Sequence, residues 1–194
     1  DSITYAISGS DLAFVSIDDV TGEVTLLASA DFEAKSTYRF DVTASDGQTS
    51  YIKSVLVSVI NVNEAPVISS GNTGHIGENE ALSTVVYTAA ASDVDGDAVS
   101  YSLSGTDAAL LVIDELSGDM TLNSSADYET KSQYLVNVVA SDGQLSTSQS
   151  VTIDVWNVNE FTPVFSSGDS GSVTEYAPIT TVIYDADATD AAWD

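Results

Sequence analysis

Apolar and polar residues alternate along several short stretches of this chain, and the clearest stretch occurs twice. Residues 38–44 place an apolar side chain at every second position, and residues 134–140 repeat the arrangement 96 positions later. Alternation of this kind gives a strand one buried face and one exposed face. Residues 55–59 and 151–155 alternate in the same way and are predicted to be partner strands. Helical periodicity is absent, so the pattern predicts an all-β protein.

The repeat extends beyond these strands and predicts tandem domains. Residues 1–30 align with 97–126, and in both copies two apolar runs flank a turn with a glycine, Gly22 or Gly118, which indicates a hairpin. A whole repeat of roughly 95 residues offers about seven strands, the size of an immunoglobulin-like sandwich. We therefore expect tandem seven-stranded Greek-key sandwiches. The predicted division is a partial repeat at 1–65 (the C-terminal two-thirds), a complete repeat at 66–162 and the N-terminal third of a repeat at 163–194.

The charge balance narrows the range of partners. The chain has 30 acidic and 4 basic residues, a formal net charge of −26. Nucleic acids and anionic membranes are excluded, because both attract a basic face. A folded chain this acidic repels itself unless cations neutralise it, and divalent metals are the obvious candidates. The absence of cysteine excludes disulfides and thiolate metal sites. No apolar run approaches the roughly 20 residues of a membrane-spanning helix, so membrane insertion is not expected.

Side chains with oxygen atoms recur at fixed places relative to the strands. An Asp-x-Glu pair precedes each alternating strand, and each repeat ends in a connector with the sequence Asn-Val-Asn-Glu. Calcium typically takes six to eight oxygen ligands, which two successive sandwich ends and their connector could supply. The predicted ligands at the first junction are Asp31, Glu33, Asn63, Glu64, Asp93, Asp95 and Asp142. Those at the second junction are Glu78, Asp127, Glu129, Asn159, Glu160 and Asp190.

This ordered set of acids and asparagines resembles the cadherin repeat, more closely its form in bacterial surface adhesins. The resemblance covers essentially the whole chain and implies cadherin-type sandwiches with Ca2+ as the cofactor. It also implies that the partners are neighbouring repeats of the same protein and that the chain is extracellular, at the cell surface. The implied function is a calcium-rigidified repeat that acts as a structural extender in an adhesin or filament.

The chain departs from the cadherin pattern at several points, including the connectors and the third fragment. Glu64 and Glu160 stand where the connector usually has aspartate, and the longer side chain should still bind an ion. In the third fragment, Ala192 stands where the central repeat has Asp95. The second junction is therefore expected to bind fewer ions, or to bind them more weakly.

Other functions remain open alongside this one. The acids could be solvated loop ends, although their recurrence at one offset argues against it. The sandwich could bind a glycan or a surface protein. Residues 163–194 of one copy could also complete residues 1–65 of another, which would build a head-to-tail fibre in which Asp46 faces ligands of the Asp190 type.

An enzyme is not expected, because the sequence has no nucleophile elbow and no phosphate-binding loop. His75, the single histidine, is expected in a loop and not at a zinc site, because it has no cysteine partners.

Overall fold

The computed structural model of this chain describes residues 2–189, and its regular structure is almost entirely β. The strands in chain order are β1 Thr4–Ser8, β2 Val15–Ile17, β3 Val24–Leu26, β4 Thr37–Ser45, β5 Ser50–Ser58, β6 Val67–Ile68, β7 Thr73–Gly77, β8 Tyr87–Thr88, β9 Ala91–Ser92, β10 Ser100–Ser104, β11 Leu111–Ile113, β12 Asp119–Leu122, β13 Gln133–Ser141, β14 Ser146–Trp156, β15 Val164–Phe165 and β16 Ala188–Thr189. Two single 3-10 turns, Leu12–Phe14 and Ala108–Leu110, precede β2 and β11. The all-β prediction is confirmed.

The described residues form two compact units. Unit 1 comprises residues 2–67, 92–99 and 141–147, and unit 2 comprises residues 68–91, 100–140 and 148–189. The division into sequence repeats at 1–65, 66–162 and 163–194 stays a prediction. Nowhere in residues 2–189 is there a helix with the length and apolar composition that crossing a bilayer requires.

Unit 1 is built around β4, which pairs antiparallel with β1 on one side and with β5 on the other. β2 and β3 form the predicted antiparallel hairpin. Gly22 in its turn has a φ of 76°, a left-handed conformation that glycine adopts without steric cost. The apolar side chains buried in this unit include Val15, Tyr38 and Phe40. By contrast, the apolar residues of β5 are largely exposed.

Unit 2 contains the seven predicted strands as sheets of four and three. One sheet has the order β10-β13-β14-β7, and the other has the order β11-β12-β8. The alternating apolar residues of β13 and β14 face the core, as their pattern predicts. They are Tyr134, Val136, Val138, Ala140, Val151, Ile153 and Val155, and all are buried.

The edge of the four-stranded sheet corrects one expectation. His75 was expected in a loop, but it lies in β7. β7 runs parallel to β14, and this pairing stacks the His75 ring on the Trp156 ring with 4.4 Å between centroids. A parallel pairing between distant segments depends on tertiary packing, so no local pattern around His75 indicates it.

Candidate metal centre

Unit 1 gathers three carboxylates from separate parts of the chain. Glu33 comes from the turn before β4, Glu64 ends the connector 61–64, and Asp95 belongs to the loop 92–99. One carboxylate oxygen of each lies within 4.8 Å of the others. We call these three residues the unit 1 acidic group. Negative charges this close repel each other, so the arrangement favours a cation.

The two asparagines of the connector hold aspartates beside this group. Asn61 donates from Nδ2 to Asp95 Oδ1 at 2.7 Å, and the backbone N–H of Glu64 donates to Asp95 Oδ2 at 3.1 Å. Asn63 donates from Nδ2 to Asp142 Oδ2 at 2.8 Å. The connector therefore fixes the orientation of two of the predicted ligands through amide donors.

Asp93 carries the feature that most clearly suggests an additional ligand. Its Oδ1 accepts the backbone N–H of Asp95 at 2.9 Å. Its Oδ2 is buried and has no hydrogen-bond partner within residues 2–189. Leaving a buried carboxylate oxygen unpaired is costly, and such oxygens are normally satisfied by a donor or a metal. A divalent cation fits this oxygen and the oxygen-only donor set beside it.

The electrostatics of the unit 1 acidic group agree with this fit. The pKa of Glu64 is raised. The largest cause is the loss of solvent around the Glu64 carboxylate, and the next is the negative charge of Asp95 and Glu33. The pKa of Asp95 is lowered, mainly by the hydrogen bond from the Asn61 side chain and secondly by the hydrogen bond from the Glu64 N–H. The ionised form of Glu64 is thus disfavoured at this position, and a bound cation would reverse that effect.

Unit 2 holds a second group of three carboxylates, Glu78, Asp127 and Glu129, whose oxygens also lie within 4.8 Å of one another. We call it the unit 2 acidic group. Glu78 is only 3% exposed. Its Oε2 accepts the backbone N–H of Tyr128 at 2.8 Å, and its Oε1 accepts that of Val158 at 2.5 Å. Glu78 therefore links the Asp-x-Glu turn to the connector 157–160.

The other members of this region have their own partners. Glu129 Oε1 accepts from Asn157 Nδ2 at 3.1 Å. Thr130 lowers the pKa of Asp127 through two hydrogen bonds, the larger contribution coming from its hydroxyl and the smaller from its backbone N–H. Glu160 accepts a hydrogen bond from Asn79 Nδ2.

Thirteen of the fourteen predicted ligands lie among the described residues, and seven of these thirteen belong to neither acidic group. Asn63, Asp93, Asp142 and Glu160 are described above, and the other three are Asp31, Asp46 and Asn159. Asp31 lines the same pocket as Glu33 and Glu64, and its Oδ1 accepts the Ala34 N–H at 2.9 Å. Asp46 caps the turn between β4 and β5 and belongs to neither group. Asn159 Oδ1 accepts the Phe161 N–H at 3.2 Å. Asp190 lies outside the described residues. That any of the fourteen residues binds a metal stays a prediction.

The sequence interpretation missed the amides that orient the acids. Asn61 and Asn157 both donate to a carboxylate of their own unit's acidic group. They occupy the same repeat position, the first asparagine of each connector, 96 residues apart. Their recurrence at one repeat position was the sequence signal that could have identified them.

It also missed two matched ion pairs. Lys35 Nζ lies 2.9 Å from Asp11 Oδ1, and Lys131 Nζ lies 3.0 Å from Asp107 Oδ1. Both aspartates are buried. Two of only four basic residues thus stand at one repeat position, two residues after the glutamate of an Asp-x-Glu pair, and each forms an ion pair with a buried aspartate.

Comparison with known families and proteins agrees with this architecture. Residues 72–156 match the family model of the cadherin domain. Human Protocadherin Fat 1 is 35% identical over 192 residues, which cover 91% of this chain and 4% of that protein. Protein dachsous of Drosophila melanogaster is 29% identical over 201 residues, covering 97% of this chain and 6% of that protein. The chain therefore spans only a small fraction of these relatives.

Solved structures give the same result. Human protocadherin-24 EC1-2 superposes with a TM-score of 0.65 at 26% identity, covering 81% of this chain and 83% of that one. Protocadherin gammaB7 EC3-6 has a TM-score of 0.65 at 28% identity and covers 98% of this chain and 49% of that one.

These relatives support a cadherin-like repeat and give no support for a bacterial form. Cadherins are adhesion proteins and not enzymes, in agreement with the prediction that this chain is not an enzyme. The chain is thus a cadherin-like β-sandwich protein, similar in fold and sequence to the extracellular repeats of cadherins.

Proposed function

We propose that this chain is a calcium-rigidified extracellular repeat segment that acts as a structural extender in a cell-surface adhesion protein. The similarity to cadherin repeats supports the adhesion role, and cadherin domains as a class bind calcium. The net charge of −26 supports the need for cations. A repeat of this kind has neighbouring repeats as its partners.

The observation that carries the proposal is the buried, unpaired Oδ2 of Asp93, a residue whose Oδ1 accepts the backbone N–H of Asp95 in the unit 1 acidic group. Solvated surface acids would turn their oxygens to water, and they would not leave one buried without a donor. The donor set contains only carboxylate, amide and backbone oxygens, which are the ligands that calcium prefers. No cysteine is available for a softer metal.

In this proposal the ligands of unit 1 are Glu33, Glu64, Asp93 and Asp95. Calcium, when bound, supplies the positive charge that these carboxylates share. Asn61 and the Glu64 backbone orient Asp95 by hydrogen bonding, so that the amide donors leave the remaining lone pairs of the acids available. Such orienting residues commonly change metal affinity by about 10- to 100-fold when they are removed.

Stiffness is the expected functional consequence. In unit 1 the connector 61–64 and the loop 92–99 are joined by the hydrogen bonds of Asn61 and Glu64 to Asp95, and a carboxylate oxygen of Glu33 lies within 4.8 Å of those of Glu64 and Asp95. Without a cation the carboxylates repel and these segments separate more easily, because polar contacts between segments permit motion by default. With the cation they are held together, and a chain of such repeats resists bending.

Small-angle X-ray scattering with calcium and with a chelator tests this function. We expect chelation to broaden the distribution of particle dimensions and to lower the melting temperature, because a ligand bound only by the folded state stabilises it. Glu64→Gln should reproduce part of the chelator's effect in the presence of calcium. Glu23→Gln is the matched control, since Glu23 is exposed and belongs to neither acidic group.

Scattering curves and melting temperatures that are identical with calcium and with chelator would contradict the proposal. Equal effects of Glu23→Gln and Glu64→Gln would also contradict the proposal, because they would show that calcium acts only by general charge screening.

A further inference from the structure

The outer face of the four-stranded sheet of unit 2 carries a cluster of side chains that lies outside the core and outside both acidic groups. Ile153 and Val155 of β14 are buried, so the alternate residues Asp154 and Trp156 lie on the opposite face of the sheet. His75 stands opposite Asp154 in the parallel pairing of β7 with β14. We call this cluster the outer patch, and its members are Thr73, His75, Gln133, Thr152, Asp154 and Trp156.

An aromatic surface forms one end of the outer patch. The His75 ring stacks on the Trp156 ring with 4.4 Å between centroids and 15° between the ring planes. The stack uses one face of each ring and holds both rings in place. Trp156 nevertheless stays 58% exposed, and His75 is exposed as well. A large ring that is ordered by stacking and open to solvent can take the apolar face of a ligand.

Polar groups lie beside this aromatic surface. Gln133 donates from Nε2 to Asp154 Oδ1 at 2.8 Å, which fixes the carboxylate and leaves its Oδ2 for a further donor. Thr73 stands opposite Thr152 in the register of β7 and β14, which adds two hydroxyls to the same face. A carboxylate, an amide and two hydroxyls can between them donate and accept several hydrogen bonds to one ligand.

The sandwich itself does not require these side chains. In unit 1 the residues 96 positions before the glutamine, the aspartate and the tryptophan of the patch are Thr37, Ser58 and Ile60. Thr37 and Ser58 lie opposite each other in β4 and β5, so the sheet forms there without the amide and the carboxylate. The residue 97 positions after His75 is Ser172. Side chains that the shared fold does not need are candidates for binding.

The charge around the outer patch indicates the kind of ligand. β13 and β14 contain one charged residue between them, Asp154, although the chain has 30 acidic residues. The carboxylate and the net charge of −26 repel an anion. A sugar ring without ionised groups has an apolar face of C–H bonds and a rim of hydroxyls, so it matches both the aromatic surface and the polar groups.

We propose that the outer patch of unit 2 binds a neutral oligosaccharide. The C–H face of one sugar ring stacks on Trp156, and the sugar hydroxyls donate to Asp154 Oδ2 and accept from the second N–H of Gln133. His75 is a positioning residue, because it holds the tryptophan ring. The whole patch lies within residues 72–156, the stretch that matches the cadherin domain, so one repeat contains the site. The proposal goes beyond the extender function and does not rest on it.

The composition of the outer patch favours a sugar over a protein partner. The fully buried centre of a protein interface is mainly apolar and depleted in charged residues. Four of the six patch members are polar, and one of these four, Asp154, is charged. A surface with one aromatic platform and several hydrogen-bonding groups suits a ligand that is itself rich in hydroxyls.

NMR titration of the full chain with a panel of neutral oligosaccharides, built from glucose, galactose, mannose and N-acetylglucosamine, tests the proposal. We expect at least one of them to shift the indole N–H resonance of Trp156 and the side-chain amide resonances of Gln133, with a Kd of about 1 mM or tighter. Loss of one indole resonance in Trp156→Ile distinguishes Trp156 from Trp193. Sulfated or sialylated forms of the same oligosaccharide should bind more weakly, because Asp154 and the net charge repel them.

Two variants remove the binding groups without a foreign residue in the sheet. Trp156→Ile and Asp154→Ser introduce the residues that unit 1 already carries at these repeat positions. Each should weaken binding by about 10-fold or more, through loss of the aromatic contact or of a charge-assisted hydrogen bond. The Gln133 amide reports on Trp156→Ile, and the Trp156 indole reports on Asp154→Ser.

Ser148→Ile is the matched control. It also introduces the unit 1 residue, that of Ile52, on the same strand, but about 20 Å along β14 from Asp154. It should bind like the parent chain.

The absence of shifts with every neutral oligosaccharide overturns the proposal and leaves the outer patch to a protein partner. Unchanged affinity in both Trp156→Ile and Asp154→Ser overturns it as well, and so does an equal loss in Ser148→Ile. Tighter binding of the sulfated or sialylated forms would overturn the assignment to neutral sugars.

Discussion

Asn61 and Asp95 form the hydrogen bond that joins the connector to the loop 92–99 in unit 1, with Nδ2 2.7 Å from Oδ1. The bond is charge-assisted, since its acceptor is an ionised carboxylate with a lowered pKa. It fixes the orientation of Asp95 towards Glu33 and Glu64. The geometry of the acidic group therefore depends on a residue that carries no charge.

Asn61→Ala should weaken calcium binding while leaving the sheets intact. We expect a loss of about 10-fold in affinity, the lower end of the effect of removing a residue that orients a metal ligand. Calorimetric titration of calcium measures this loss. Gln48→Ala is the control, since its side chain is exposed in a turn of the same unit. Unchanged calcium affinity in Asn61→Ala would show that Asp95 needs no orientation or is not a ligand.

Glu78 and Glu175 occupy the same repeat position in different surroundings, which makes them a matched pair. Glu78→Ala removes the acceptor of two backbone N–H groups, those of Tyr128 and Val158. We expect it to lower the free energy of unfolding of unit 2 by about 2 kcal/mol, the cost of leaving buried donors unpaired. Thermal unfolding in chelator measures the change.

Glu175→Ala should leave the melting temperature of dilute protein unchanged, because Glu175 is exposed. A similar loss of stability in both variants would indicate a general charge effect. No loss in Glu78→Ala would mean that the two backbone groups find other partners.

The buried Asp107 predicts a specific dependence of stability on pH. Burial alone would raise its pKa, but hydrogen bonds from Leu135 N–H and Lys131 outweigh burial and lower the pKa of Asp107 below the ordinary aspartate value. A carboxyl whose pKa is lower in the folded state contributes stability above its unfolded pKa of about 4, and this contribution is lost as pH falls through the folded value.

Asp107→Asn should therefore melt at a lower temperature than the parent chain at neutral pH, with a difference that shrinks as the pH falls below about 4. Melting curves in chelator between neutral and acidic pH measure this difference. Glu115→Gln, an exposed acid-to-amide change, serves as the control and should follow the parent chain. A constant difference for Asp107→Asn across this range would show that its ionisation does not contribute.

Much of the fold was predictable because its strands are local and half-buried. Alternation along residues 134–140 identifies β13, and the positions that it assigns to the core are buried. The turn glycine Gly118 has the left-handed conformation that its hairpin requires. The parallel pairing of β7 with β14 was not predictable, because distant packing sets the register of such strands.

The predicted acids could be identified because they repeat along the sequence, but the residues that hydrogen-bond to them could not. Asn63 and Asp142 are 79 residues apart and were assigned to one junction only because each holds a fixed place in the repeat. The unpaired oxygen of Asp93 has no sequence signal, because it depends on which donors the folded chain places around it. The Lys131–Asp107 pair had a signal in the scarcity of basic residues, but an acidic chain obscures which of its many acids is buried.

A crystal structure of the chain grown with excess calcium tests the central claim most directly. The account predicts an ion in unit 1 bound by oxygens of Glu33, Glu64, Asp93 and Asp95 at about 2.3–2.6 Å, with the ion confirmed by its anomalous scattering. Under the same conditions, water alone beside these side chains, with Glu33 and Glu64 extended into solvent, would contradict it.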